Sequence, residues 1–160
     1  MTESADGVPE GTPHDRLAGG DPWAWAHEAD TTEPDRVHAE AVAALLVVPN
    51  GEQWLPRCLR ALHEVQPRAG MVLAVDAQSS DNSRALLDQA VADGILDEVL
   101  TCEPVGFGAA VRVAAEALPA DQRWLWLLHD DAEPKPDALQ ALLEAAAANP
   151  QPALLFPKLL

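Results

Sequence analysis

The sequence predicts an α/β fold built on a doubly wound, mostly parallel sheet. Three observations carry that prediction. Apolar runs without helical spacing, at residues 41–48 and 124–128, read as strands. Segments with leucine and alanine at one-face helical spacing alternate with such runs. The runs end in turn or acidic residues: Pro49-Asn50-Gly51 after the first, Asp76 after the second, and His129-Asp130-Asp131 after residues 124–128.

Taken in order, residues 41–48 form the first predicted strand, rich in Val and Leu. A helix follows from about Gln53 to about Val65, with Leu55, Leu59 and Leu62 on one face and Pro56 tolerated in its first turn. Residues 72–75 are a short strand running into Asp76. Ser79, Ser80 and Asp81 supply capping oxygens for a helix with a buried stripe of Leu86, Leu87, Ala90 and Val91, and Gly94 closes it. Residues 98–101 are the third strand. Gly106-Phe107-Gly108 opens a helix with Val111, Ala114, Ala115 and Leu118 inward.

The fourth strand, residues 124–128, is apolar at every position and reads as buried on both faces. Pro136-Asp137 begins a helix with Leu139, Leu142, Leu143 and Ala146 inward, and residues 153–156 read as a fifth strand. The sheet is thus expected to stop after that strand, four residues before the end of the sequence.

A chain of 160 residues with 48% hydrophobic content suffices for one core. Residues 40–160 are the expected folded domain. Residues 1–39, rich in Asp, Glu, Pro, Gly and Thr, read as a disordered acidic tail. Within it, Trp23 and Trp25 are candidates for docking on the domain or a partner, because exposed Trp is otherwise unfavourable. The net charge of −16 argues against sequence-independent binding to nucleic acid or anionic lipid, which needs clustered Lys and Arg. Cys58 and Cys102 fit no ligand or pairing pattern and read as buried, reduced thiols. No apolar run approaches the ~20 residues that cross a bilayer, and no secretory signal is visible. The expected location is the cytoplasm, the inner face of the membrane included.

Two acids at the end of a buried strand are costly unless a cation or a hydrogen-bonded ligand meets them. Open α/β sheets hold their ligands at this edge, outside the carboxyl ends of the strands. A divalent metal carrying a phosphorylated ligand would meet the need. Three groups should converge there: Pro49-Asn50-Gly51-Glu52, Asp76 and His129-Asp130-Asp131.

Four blocks in register resemble the nucleotide-sugar-binding half of the family 2 glycosyltransferases, which have the GT-A fold. They are Val47-Val48-Pro49-Asn50-Gly51-Glu52-Gln53-Trp54-Leu55, Val75-Asp76-Ala77-Gln78-Ser79-Ser80-Asp81, Gly106-Phe107-Gly108-Ala109-Ala110-Val111-Arg112, and Leu128-His129-Asp130-Asp131-Ala132-Glu133-Pro134. The resemblance implies that Asp131 binds Mg²⁺ or Mn²⁺ shared with a diphosphate, and that Asp130 lies by the ribose or the metal's water shell. It also implies that Asp76 takes hydrogen bonds from base or ribose, that Pro49, Asn50 and Glu52 line the base pocket, and that Gly106 lets backbone approach the nucleotide. The chain departs from the pattern at three places. His129 stands at the first position of the usual Asp-x-Asp, as a metal ligand or an ordered neighbour. Pro49 replaces an aromatic residue or His, and Arg112 replaces Asn, reaching a phosphate or solvent.

The implied activity is metal-dependent, inverting transfer of a sugar from a nucleoside-diphosphate donor to a hydroxyl of a glycan or lipid-linked acceptor. The catalytic base of such enzymes is expected beyond residue 160, so these residues read as a donor-binding half with little turnover alone. The alternative is a non-catalytic nucleotide-binding or protein-interaction module of the same fold. A nicotinamide-dependent dehydrogenase is disfavoured, because no Gly-x-Gly-x-x-Gly follows Val48.

Overall fold

Seven consecutive apolar residues, Val42–Val48, form the central strand β1, and every one of them is buried. Such a run has no polar face to offer water, so it is stable only with strands on both sides and helices on both faces. The computed structural model describes residues 37–103, 106–149 and 154–155. Among them the sheet has four strands: β1, β2 (Met71–Asp76), β3 (Glu98–Thr101) and β4 (Trp124–His129). Four helices accompany them: α1 (Leu55–Glu64), α2 (Ser83–Ala92), α3 (Phe107–Ala117) and α4 (Ala138–Ala148). A 3₁₀ turn at Ala39–Ala41 leads into β1.

The strand order is β3-β2-β1-β4, and all three pairings are parallel. Val48 pairs with Asp76, and Val47 with His129, so the strands finish at one edge. The chain moves outward on one side of β1 through β2 and β3, then returns to its other side as β4. The topological switch point therefore lies between β1 and β4, where folds of this class open a ligand crevice.

Alternation along the strands divides the core into two layers. Val42, Ala44, Leu46 and Val48 pack with Val72, Ala74 and Leu128 against Leu55, Leu59 and Leu62 of α1, Leu87 and Ala90 of α2, and Leu139 of α4. Leu45, Val47, Leu73 and Val75 pack against Ala110 and Ala114 of α3 on the opposite face. The alanines let α3 approach the sheet closely.

The predicted elements recur with small shifts, and three expectations need correction. β4 is not buried on both faces: Leu125 is 40% exposed and Leu127 44% exposed. Among the described residues it is the outermost strand beside β1, and α3 is centred on β1 and β2. Trp124, Trp126 and Leu128 on the other face do pack on the larger core layer. In the helices, Val91 and Ala115 are exposed, while Ala110 takes the inward place on α3. For the fifth strand, Leu154 and Leu155 carry no regular structure, and the rest of that segment lies outside the described residues. The tail up to residue 36, with Trp23 and Trp25, lies outside them too, whereas Val37 already packs on the core. Among the described residues no helix is long and apolar enough to cross a membrane.

Candidate functional site

The loop after β1 and the loop after β2 are fastened to each other by reciprocal hydrogen bonds. Asn50 accepts at Oδ1 from the Ser80 backbone N–H (2.7 Å) and hydroxyl (3.1 Å), and its own N–H donates to Ser79 Oγ (3.0 Å). The Glu52 N–H donates to Asp81 Oδ2 (3.1 Å), while Glu52 Oε2 accepts from the Asn82 N–H (3.3 Å). Asp76 is 4% exposed, and its Oδ1 accepts the Ser79 N–H at 2.9 Å. Asn50 and Gln78 take left-handed backbone angles, with φ of 57° and 54°. Asparagine tolerates that conformation, which costs most other residues about 1–2 kcal/mol, and the cross-loop bonds hold Asn50 in place.

Asn50 and Glu52 thus spend side-chain acceptors on shaping the loop pair, while Pro49 sits exposed at the rim. Ser79, Ser80 and Asp81, expected as helix caps, mainly serve this seam. Asp81 does both, because its Oδ1 accepts the Ser83 N–H at 3.0 Å as α2 begins.

The second group lies at the end of β4. His129 Nδ1 is 2.7 Å from Asp130 Oδ1 and 2.9 Å from Asp131 Oδ1. The imidazole nitrogen and the two carboxylates all lie within 4.8 Å of one another. Their exposures differ sharply: the Asp131 side chain is 60% exposed, whereas Asp130 is 4% exposed. Burial pushes the Asp130 carboxyl above its ordinary range, and the neighbouring His129 pulls it partly back. Phe107, the first residue of α3, stacks on the His129 ring with centroids 6.2 Å apart and an interplanar angle of 18°. Gly106 precedes it with φ of 93°, a conformation that favours glycine. Arg57 reaches Glu133 at 2.6 Å and ties α1 to the segment beyond the acids. Arg112 lies exposed on α3.

Beneath this group Cys58 is fully buried, with Sγ 3.8 Å from the His129 carbonyl. Burial, then the charges of Asp130, Asp131 and Glu133, push its thiol up to about 12. Cys102 is also free and buried.

The expected groups therefore meet at one edge. Asp130 faces the β1 loop, Asp131 faces solvent, and Asp76 stands at the neighbouring strand end. Two neighbours were given no role of their own from the sequence: Gly51, named only as part of the converging loop and against which Asp130 packs, and the ring of Phe107. A glycine between Asn50 and Glu52 was the available signal for the first. No spacing rule brings residue 107 to residue 129.

A parallel sheet with its switch point beside a His-Asp-Asp group defines an open α/β domain whose ligand crevice lies at that edge. The family model of Glycosyl transferase family 2 matches residues 44–155, and the chain belongs to that family. Solved structures with the same fold include Staphylococcus aureus TarS 1–349, at 15% identity and a TM-score of 0.57, over 67% of this chain and 32% of that one. The complex of that protein with UDP-GlcNAc matches at 16% identity and a TM-score of 0.58, over 67% and 31%. Its complex with UDP matches at 16% identity and 0.56, over 67% and 32%. This chain thus spans about a third of those chains. No curated protein matches it.

Proposed function

We propose that residues 40–160 hold a nucleoside-diphosphate sugar for an inverting glycosyltransferase, with Mg²⁺ or Mn²⁺ at the end of β4. One observation carries this reading: Asp130 Oδ1 and Asp131 Oδ1 both close on His129 Nδ1, at the switch point of a family 2 domain. Two carboxylate oxygens fit a hard cation, and a nearby cation would offset the burial that raises the Asp130 carboxyl. Asp131, the exposed acid, and Asp130 would hold the ion, with His129 orienting both carboxylates. When bound, the ion supplies Lewis-acid neutralisation of the diphosphate leaving group.

The other residues act by positioning. Asp76 has one carboxylate oxygen engaged by the Ser79 N–H, and we assign the other to the base or ribose. Asn50 and Glu52 keep the pocket wall in shape through their bonds to Ser80 and Asn82, and Pro49 offers an apolar edge to the base. Gly106 leaves room for backbone to approach the nucleotide. The acceptor is a hydroxyl on a glycan or lipid-linked carrier. Two free thiols suit a reducing compartment, which favours the cytoplasm, the inner membrane face included.

The test is a thermal shift of this chain with UDP, with and without Mn²⁺. Protection is expected only when both are present, and Asp131→Ala should abolish it without lowering the melting temperature of the free protein. Protection that survives Asp131→Ala would remove the metal assignment. Its absence in the parent chain would favour an interaction module.

A further inference from the structure

We propose that Gly51 is a positioning residue for the donor site: its missing side chain is the space that Asp130 occupies to aim Oδ1 at His129 Nδ1. The function of that aim rests on the donor-site reading above; the geometry stands alone. A Cβ at residue 51 would lie 2.5 Å from Asp130 Oδ2, 3.1 Å from Asp130 Cβ and 3.1 Å from Val48 Cγ1. Residues of positive φ among the described glycines are Gly94 and Gly106, so the backbone of Gly51 would accept alanine. Space alone restricts the position.

Relief by moving the loop is blocked on the other side. Asn50 and Glu52, which flank Gly51, are bound to Ser79, Ser80, Asp81 and Asn82 across the neighbouring loop. The Gly51 carbonyl also starts α1, accepting from the N–H groups of Trp54 (2.8 Å) and Leu55 (2.9 Å). Shifting residue 51 outward would cost bonds on two elements, whereas rotating the Asp130 carboxylate costs only bonds local to its own turn, to His129 Nδ1 and to the backbone N–H groups of Asp130 and Asp131. The Asp130 side chain is therefore the part that yields. Its displacement separates the two Oδ1 atoms that now meet at one nitrogen.

The test uses the ligand-free chain first. The ¹⁵N resonance of His129 Nδ1 at fixed pH, assigned with His129→Gln, reports the Asp130 contact. Gly51→Ala is expected to move it as Asp130→Ala does. Gly108→Ala, where a Cβ meets nothing within 4 Å, should leave it in place. Mn²⁺ alone is the second probe: broadening of the His129 ring protons should need about 10–100-fold more metal in Gly51→Ala, as for other residues that orient ligands.

An unshifted His129 resonance in Gly51→Ala, with the parent's Mn²⁺ midpoint, would overturn the proposal. A parent protein that shows no Mn²⁺ broadening would instead refute the donor site, and the ¹⁵N shift would still decide the role of Gly51. If Gly51→Ala folds poorly, adding Asp130→Ala removes its closest contact. Recovery of the melting temperature toward that of Asp130→Ala alone supports the proposal, and no recovery rejects it.

Discussion

Asn50 Oδ1 accepts two hydrogen bonds from Ser80, one from its backbone N–H at 2.7 Å and one from its hydroxyl at 3.1 Å. This pair fastens the tip of the β1 loop, where Asn50 has φ of 57°, to the loop after β2. Asparagine suits the place twice, because it tolerates the left-handed region and offers an acceptor to a neighbour.

Asn50→Ala should therefore lose both benefits. The backbone cost is about 1–2 kcal/mol, and each lost hydrogen bond adds about 0.5–1.5 kcal/mol before discounting for solvent exposure. Urea unfolding should show a loss of about 2 kcal/mol for alanine and a smaller one for Asn50→Gly, which keeps the backbone freedom. Equal losses in the two variants would mean that the backbone angle contributes nothing.

The two sides of β1 predict a contrast between paired residues. Leu45 and Leu127 are register partners on the same face, yet Leu45 is 1% exposed and Leu127 is 44% exposed. Leu45→Ala should cost about 2–5 kcal/mol, as for other buried leucines. Leu127→Ala should stay within about 1 kcal/mol, since little surface is removed from water by its packing. Chemical denaturation of both variants measures the difference; comparable losses would contradict the exposure of β4.

Cys58 sets an alkaline limit on stability. Its thiol is raised from an ordinary 9.0 to about 12. Between those values the unfolded chain has lost a proton that the folded chain retains, so rising pH favours unfolding. The contribution is complete below about pH 9 and is lost as pH climbs toward about 12, by up to about 1.4 kcal/mol per pH unit. Cys58→Ala should have a lower stability at pH 7 and a shallower decline between pH 9 and 11. The folded parent should also resist thiol reagents at pH 8, and react in step with unfolding.

Local order was legible in the residues themselves. An apolar run such as Val42–Val48 can satisfy its backbone and its side chains only inside a sheet, and the one-face leucines of α1 dictate a helix against it. The acids at the ends of β2 and β4, and the loop after β1, were correctly expected at one edge, because parallel strands share their carboxyl ends.

What the linear pattern could not decide is which neighbour each group meets. Residues 124–128 are as apolar as β1, yet among the described residues β4 lies at the end of the strand order and outside the cover of α3, so half of its residues face solvent. Asn50 and Glu52 were expected to line the base pocket; what the sequence did not reveal is that the parallel pairing of β1 with β2 brings two polar loops side by side, where these side chains also accept the Ser80 and Asn82 N–H groups. Asp130 and Asp131 are adjacent in sequence, but alternation and the gap at Gly51 bury one and expose the other. Residue type and spacing act over a few positions and so determine strands, helices and the edge where acids gather. Partnership and burial depend on strand order and on sub-ångström clearance between distant segments, and only the folded chain supplies those.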